Sequence, residues 1–408
     1  MPIIEIPIVS ISKKKNISLA VKQCLDQLIL PDLNDKTILL KPNVGRETDP
    51  RGAVNTNPDV VSAVFHYLNN KFNAKFLIGD SPIINTNSRK AFEQSEYGSL
   101  LRENGLKFID LNEIDPIELP IEKGTILESI KVTGFWNEID AIISIPVLKF
   151  HMHCGASLSF KNLKGLIYKR EKIKLHHYHK PLLLKEIKEK FFHEPESRVK
   201  ELDIAISDLA HVFNPILAII DASYALEGMG PSTGNTVKLD TIIASKNFLA
   251  ADIIALALTR PDWTLRNVPH LKLIADLFPN QPRTLKEITT IPEDLSSFQY
   301  LLEPPPTSIT IKHKNVHLIA EKACSACLST IFNLVENNKA FIDEYFTEKN
   351  PLRFAIGKGI KKEDLYDDTY LVGNCTYNHR DHGLFIKGCT PVESTIMKLI
   401  REKLGLKE

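Results

Sequence analysis

The chain lacks net charge, long apolar runs and any crowding of cysteine over its first three quarters. Lys and Arg number 51 against 50 Asp and Glu in 408 residues, a formal charge of +1. No global field therefore exists to recruit nucleic acid or an anionic membrane. No apolar run approaches the ~20 residues of a membrane-spanning helix. The opening, MPIIEIPIVSISKKKNISLA, does not read as a signal peptide, because its basic run follows the apolar residues and no small-residue cleavage site comes after it. Internal repeats and low-complexity segments are missing as well. The glycine-rich stretch GMGPSTG (Gly228–Gly234) lacks GxGxxG spacing and precedes a strand, so it supports neither a dinucleotide fingerprint nor a P-loop. These absences leave a cytoplasmic protein with no membrane and no nucleic-acid partner.

What is present is a globular composition of 43% hydrophobic residues, spread over a chain too long for one core. The apolar segments alternate between strand and helix spacing. Thr37–Leu40 is a short strand that runs into Lys41, Pro42 and Asn43. Asn57–Pro58 opens a helix as N-cap and first turn. The strand Lys75–Ile78 follows and ends in Gly79, Asp80, Ser81 and Pro82. This βαβ rhythm predicts an α/β fold, a mostly parallel sheet flanked by helices. The spacing places an α/β domain at 1–260 and a linker at 261–306 that ends in EPPPTS. A smaller α/β cysteine unit takes 307–408, with strands in ITIKHKNVHLI, RFAIG and TYLVGNC and helices opening at CSAC and CTP.

The stretch from Ile142 to Ile167 is the most polar of the strand ends. A β-branched run, broken by Pro146, empties into Lys149, His151, His153, Ser157, Ser159, Lys161, Asn162 and Lys164. In a parallel sheet the carboxyl ends of strands share one edge, where ligands bind. Lys149, His151 and His153 alternate, so a continuing strand presents one cation and two imidazoles on one face. They are the candidate catalytic residues, with His151 or His153 transferring a proton. Lys161, Lys164, Ser159 and Asn162 form a candidate cradle for carboxylate or phosphate. Lys41, Asn43, Asp80 and Ser81 reach the same edge from two strand ends, and Asp221 and Glu227 from a third, where a carboxylate orients a histidine, holds a lysine or binds a metal. His176, His177 and His179 lie in a basic segment that reads as a lid or as a solvated face; a nucleic-acid patch is disfavoured by the neutral overall charge.

KPNVG (Lys41–Gly45), TNP (Thr56–Pro58), GDSP (Gly79–Pro82), LKFH (Leu148–His151), SFKNLKGLI (Ser159–Ile167), IIDASYALEGMGP (Ile219–Pro231) and ADIIAL (Ala251–Leu256) occur in this order. Together they resemble the domain-of-unknown-function 362 family over roughly residues 35–260. The resemblance implies a prokaryotic, cytoplasmic protein, often associated with iron–sulfur domains, and no defined reaction. The family's ferredoxin-type run of close cysteines is not present here.

Cys324, Cys327, Cys375 and Cys389 instead lie dispersed in the last quarter, at predicted helix starts and a strand end. Those positions share one edge of a small α/β unit, and helix N-termini favour thiolate. Four such thiolates bind a [4Fe–4S] cluster. Gly388–Pro391, a G-C-T-P sequence, resembles the Gly-Cys-Pro-Pro turns that hold a cluster ligand. Zinc is the alternative cofactor, although only one CxxC knuckle is present; four reduced, partly buried thiols is the third reading. His379 and His382 lie between the last two cysteines as substitutes for one ligand.

Three functional readings follow. The first is an iron–sulfur enzyme, oxidoreductase or lyase, acting on a small anionic ligand by acid/base and redox or Lewis-acid chemistry. The second is a non-catalytic maturation or electron-carrier protein that docks to a redox partner. The third is a structural zinc module on a ligand-binding domain. Substrate and oligomeric state are not legible in the sequence.

Overall fold

A computed structural model describes residues 6–83, 86–169, 171–194, 197–305 and 313–406. The chain divides into two compact units, Met1–Pro305 and Pro306–Glu408.

The strands of the first unit, in chain order, are β1 (Ile8–Lys13), β2 (Thr37–Pro42), β3 (Lys75–Ile78), β4 (Leu106–Phe108), β5 (Ile117–Pro120), β6 (Ser129–Val132), β7 (Ala141–Ile145), β8 (Val147–His151), β9 (Gly155–Ser157), β10 (Leu217–Glu227), β11 (Asn235–Ser245) and β12 (Thr289–Ile291). The central sheet runs β12-β1-β11-β10-β7-β2-β3-β4. From β10 to β4 every pairing is parallel, while β11 is antiparallel to both β10 and β1. β5 and β6 form a separate hairpin.

The sheet lies between two apolar layers because its strands alternate. Ile38 and Leu40 of β2 face one layer and Leu39 the other; Ile143 and Ile142 of β7 divide the same way. Helices Ile17–Asp26 and Pro58–Lys71 cover the first face, and Phe248–Thr259 the second. Asn57 caps Pro58–Lys71 as the sequence predicts, its side chain accepting from the Asp59 amide.

Pro146 separates β7 from β8, and the Asp221 amide donates to its carbonyl at 2.8 Å. β8 then pairs with β10 on one side and with the returning β9 on the other. Two expectations change here. β10 does not end at Asp221 but runs eleven residues to Glu227 and forms a long hairpin with β11. The glycines of the connecting loop serve that packing: a Cβ on Gly230 would overlap the Phe150 carbonyl, and the Gly230 carbonyl accepts from the Met152 amide. The glycine-rich loop therefore lies against β8.

The segment expected as a linker also differs. Residues 261–305 carry the helix Pro269–Leu277, with His270, Leu271 and Ile274 buried, and β12, which pairs with β1. Proline there starts a helix, a position where its missing N–H costs nothing, instead of marking an open connection.

The second unit holds β13 (Val316–Ile319), β14 (Leu352–Ala355), β15 (Tyr370–Val372) and β16 (Leu384–Ile386), parallel and in that order. The strand expected from residue 309 is β13 in its last part; 306–312 lie outside the described residues. Helices Ser325–Asn337, Lys339–Tyr345 and Glu393–Lys403 accompany the sheet. Ile331, Leu334, Phe354, Val372 and Ile396 form its core. Among the described residues no helix is long and apolar enough to cross a membrane.

Candidate functional site

Lys41, the second-last residue of β2, is fully buried. Its ammonium meets Asp80 Oδ1 at 2.8 Å, the Pro42 carbonyl at 2.8 Å and Asn162 Oδ1 at 3.0 Å. Three donors meet three oxygens, so Lys41 holds strand ends together and is not offered to a ligand. Asp80 spends its other oxygen on the Val44 amide. Asn162 returns two bonds, to the Lys41 carbonyl and to Ser144 Oγ. Ser81 bonds Asn112 Oδ1, and Lys172 Nζ bonds Ser81 Oγ and both the Ser81 and Pro82 carbonyls. Ser159 is held by Asp252, which accepts from its amide and hydroxyl. Of the residues expected to bind substrate, Lys41, Asp80, Ser81, Ser159 and Asn162 are thus framework.

Asp221 and Glu227 change role as well. Asp221 accepts from the Asn57 amide and from the amide and hydroxyl of Ser223. It anchors a helix start, and burial raises it to about 6. Glu227 accepts from the Glu303 amide at the far end of the β10–β11 hairpin. Neither orients a histidine or holds a lysine, because β10 overruns the edge where Asp221 was expected to stop.

The residues that remain together are cationic. Lys149 is buried on β8 and donates to Asn43 Oδ1 and the Val54 carbonyl, both at 2.6 Å. Burial, then Lys161 and Arg46 nearby, pull it down to about 7. Burial and Lys161 bring the half-buried Lys164 to about 7 also, and burial does the same to Lys172. Lys161 reaches Ser157 Oγ at 3.3 Å, and burial lowers it too. Lys164 Nζ lies 2.8 Å from His176 Nε2, so His176 joins the cluster, while His177 and His179 are exposed.

β8 stops at His151, and His153 lies in the turn beyond it. Their rings are 5.7 Å apart, both buried. The His153 amide donates to His151 Nδ1 at 3.1 Å. That bond puts the proton of a neutral His151 on Nε2 and makes the ring a donor toward a ligand. Burial, then Lys161, His153 and Lys149, hold His151 well below its ordinary range; burial and Lys200 bring His153 down to about 3. Burial lowers every member of this group, and Lys161 lowers Lys149, Lys164, His151 and His153 further. Among the described residues the carboxylates that offset it are Asp80, already paired with Lys41, and Asp203. A cavity lined by Glu118, Lys131, Glu171, Lys174, Tyr178 and Lys180 lies beside the β5–β6 hairpin and includes none of the cluster.

Sequence reasoning passed over Lys172 and Asp252. Asp252 had a visible signal, a lone carboxylate inside the apolar helix Phe248–Thr259. Burial raises it to about 7.

In the second unit Cys324 is the N-cap of Ser325–Asn337 and Cys327 lies in its first turn. Cys327 interacts with Cys324 through a side-chain hydrogen bond and with Cys375 through charge, and both push its thiol up, as does burial. Its sulfur is 3.3 Å from the hydroxyl of Thr390, the residue after Cys389. A Cβ on Gly373, whose φ is +99°, would sit 3.4 Å from Cys327 Sγ and 3.6 Å from Cys375 Sγ. Those are ordinary contact distances, so it is the positive φ and not crowding by the sulfurs that calls for glycine there. All six cysteines are free thiols.

A thylakoid-associated protein of Synechocystis is 23% identical over 217 residues, which are 53% of this chain and 61% of that protein. Two solved structures share 60% of this chain. One is a Thermotoga maritima protein at 15% identity, TM-score 0.38, over 60% of its length. The other is the lactate racemase apoprotein of Thermoanaerobacterium thermosaccharolyticum at 17% identity, TM-score 0.36, over 55% of its length. The chain thus spans 55% to 61% of the proteins it resembles. A family model matches residues 38–257, more than half of the chain, from β2 through the helix Phe248–Thr259, and the chain belongs to that family, described as Domain of unknown function (DUF362).

Proposed function

We propose that the first unit binds a small anionic substrate and moves a proton on it, and that the second unit holds a [4Fe–4S] cluster. The observation that carries the first half is the buried cluster of Lys149, His151, His153, Lys161, Lys164 and His176, in which burial lowers every proton affinity and the Lys161 charge adds to the lowering at the other five. An anion among these groups relieves that repulsion. Lys161, Lys164 and the Nε2–H of His151 supply the donors. Lys149, held near 7, gives and takes a proton with equal ease at neutral pH. His151 thus becomes a binding group, and the proton passes to Lys149.

For the second unit the donor set supports a metal. The Cys324 and Cys375 thiols and burial push Cys327 up, and that is relieved when a metal takes the group as thiolates. The cluster supplies an electron or a Lewis-acidic iron, in keeping with an oxidoreductase or lyase of the prokaryotic cytoplasm. Zinc is the alternative ion. The half-exposed positions of Cys324, Cys375 and Cys389 favour a second reading, an electron carrier that meets a redox partner.

The test is anaerobic purification of the full chain, with iron, sulfide and zinc analysis and mass spectrometry of any retained small molecule. Calorimetry with inorganic phosphate and oxalate as probes accompanies it. Anion binding that disappears in Lys149→Met and Lys161→Met supports the first half. A wild type that binds neither probe at low ionic strength and retains no anion overturns it. Colourless protein with stoichiometric zinc after reconstitution overturns the cluster.

A further inference from the structure

The turn after β8 also carries Cys154, which belongs to neither the cation cluster nor the C-terminal thiols. It meets two residues from distant parts of the chain. Asp203 lies in the first turn of helix Glu201–Asp208, and His270 is the second residue of Pro269–Leu277. One donor atom from each of the three lies within 4.8 Å of the others, and all three residues are buried. Gly155 makes the convergence possible. Its φ is +81°, and a Cβ there would overlap the Asn267 carbonyl, just ahead of His270.

The hydrogen bonding of these groups is unfinished. Asp203 Oδ2 accepts from the Lys200 amide at 3.0 Å. Oδ1 faces His270 Nδ1 at 3.7 Å, too long for a hydrogen bond. Asp203 Oδ1 and both ring nitrogens of His270 are buried with no hydrogen-bond partner. Native interiors rarely leave buried polar atoms unpaired, and Asp203 Oδ1 and one ring nitrogen of His270, converging with the Cys154 sulfur, call for a shared partner. Their chemistry names its class. A thiolate, an imidazole and a carboxylate are zinc ligands, and three protein ligands leave a fourth position open. Two anionic donors neutralise a dication, which matters because Lys161 lies close enough to sense both Cys154 and Asp203.

We propose that Cys154, Asp203 and His270 form a second metal site, specific for a zinc-class divalent ion and independent of the C-terminal thiols. His270 and Asp203 are then ligands and not a helix-to-helix ion pair. The site stands whether or not the cation cluster binds an anion.

The test uses the full chain carrying Cys324→Ser and Cys327→Ser, which removes the competing thiols. Titration with Co2+ is expected to give one ion per chain and a thiolate-to-cobalt band in the near ultraviolet. Zn2+ should displace the cobalt and raise the melting temperature. Adding Cys154→Ser abolishes the band. Adding His270→Gln weakens binding by at least ~10-fold, since losing even an outer-shell partner of a metal ligand costs that much. If Cys154→Ser does not fold, the zinc-dependent rise in melting temperature decides: present in the parent, absent in His270→Gln and in Asp203→Asn. A parent that takes up no metal, or a band and a melting shift that survive all three substitutions, overturns the site.

Discussion

The lysine and histidine cluster of the first unit and the thiol group of the second are both crowded with like ionisable groups, but the crowding has opposite sign. Around Lys149 burial and the charges of Lys161, Arg46 and Lys41 outweigh Asp80, and proton affinity falls. Around Cys327 the Cys324 and Cys375 thiols and burial outweigh the Thr390 hydroxyl, and proton affinity rises. The first arrangement favours an anion and the second a cation. The framework beneath them differs too. The cation cluster rests on a buried network of Lys41, Asp80, Asn162 and Ser144, whereas the thiols rest on backbone positions, with Gly373 supplying the positive φ beside them.

Removing thiols breaks the comparison most completely. Cys324→Ala with Cys327→Ala is expected to reduce iron from about four atoms per chain to near zero after anaerobic reconstitution, with phosphate binding unchanged by calorimetry. Next comes the framework. Asp80→Asn leaves Lys41 charged in a fully buried place and is expected to cost about 3–5 kcal/mol in urea unfolding, while iron content holds. The cation cluster responds less. Lys149→Met removes a charge-assisted bond worth about 1.5–3 kcal/mol, so anion affinity falls ~10- to 150-fold.

The smallest effect is a change in slope. Lys149 titrates near 7 when folded and at 10.5 when free. Between those values the unfolded chain binds more protons, so stability rises with pH across that window. Asp252 and Asp221 are raised from 3.8 to about 7 and about 6, so the folded chain binds more protons and stability falls as pH climbs from 4 to 7. The unliganded first unit is therefore expected to melt lowest near neutrality. Lys164 and Lys172 share that window, so Lys149→Met should reduce the rise above pH 7 without removing it and leave the fall below it, as followed by thermal melting from pH 4 to 10.

The sheet and the position of its polar edge could be read from the sequence because they depend on alternation and on strand-to-loop transitions. Ile38, Leu39 and Leu40 divide between the two layers as period two requires. Which polar residues serve the framework could not be read. Lys41 and Lys161 look alike in sequence, and what separates them is Asp80 and Asn162 closing on one and not the other. Asp221 misled because β10 continues past it to pair with β11, a long-range pairing with no local signal. Cys154, Asp203 and His270 were missed for the same reason, since they meet only through three separate elements.

Gly165 sits beside Lys164 in the 3-10 turn Leu163–Leu166, just after the short helix Ser159–Asn162 that carries Lys161. Its carbonyl accepts from the Ser81 amide at 3.1 Å. A methyl group there would overlap Asp80 Oδ1 and come within 2.7 Å of Lys41 Nζ. In a saturation mutagenesis map this position would rank beside Lys149, although it has no side chain to react. Loss of function at 165 would report a lost fit between turn and ion pair. The two kinds of intolerance are expected to separate by temperature: a Gly165→Ala chain regains phosphate binding on cooling, and a Lys149→Met chain does not.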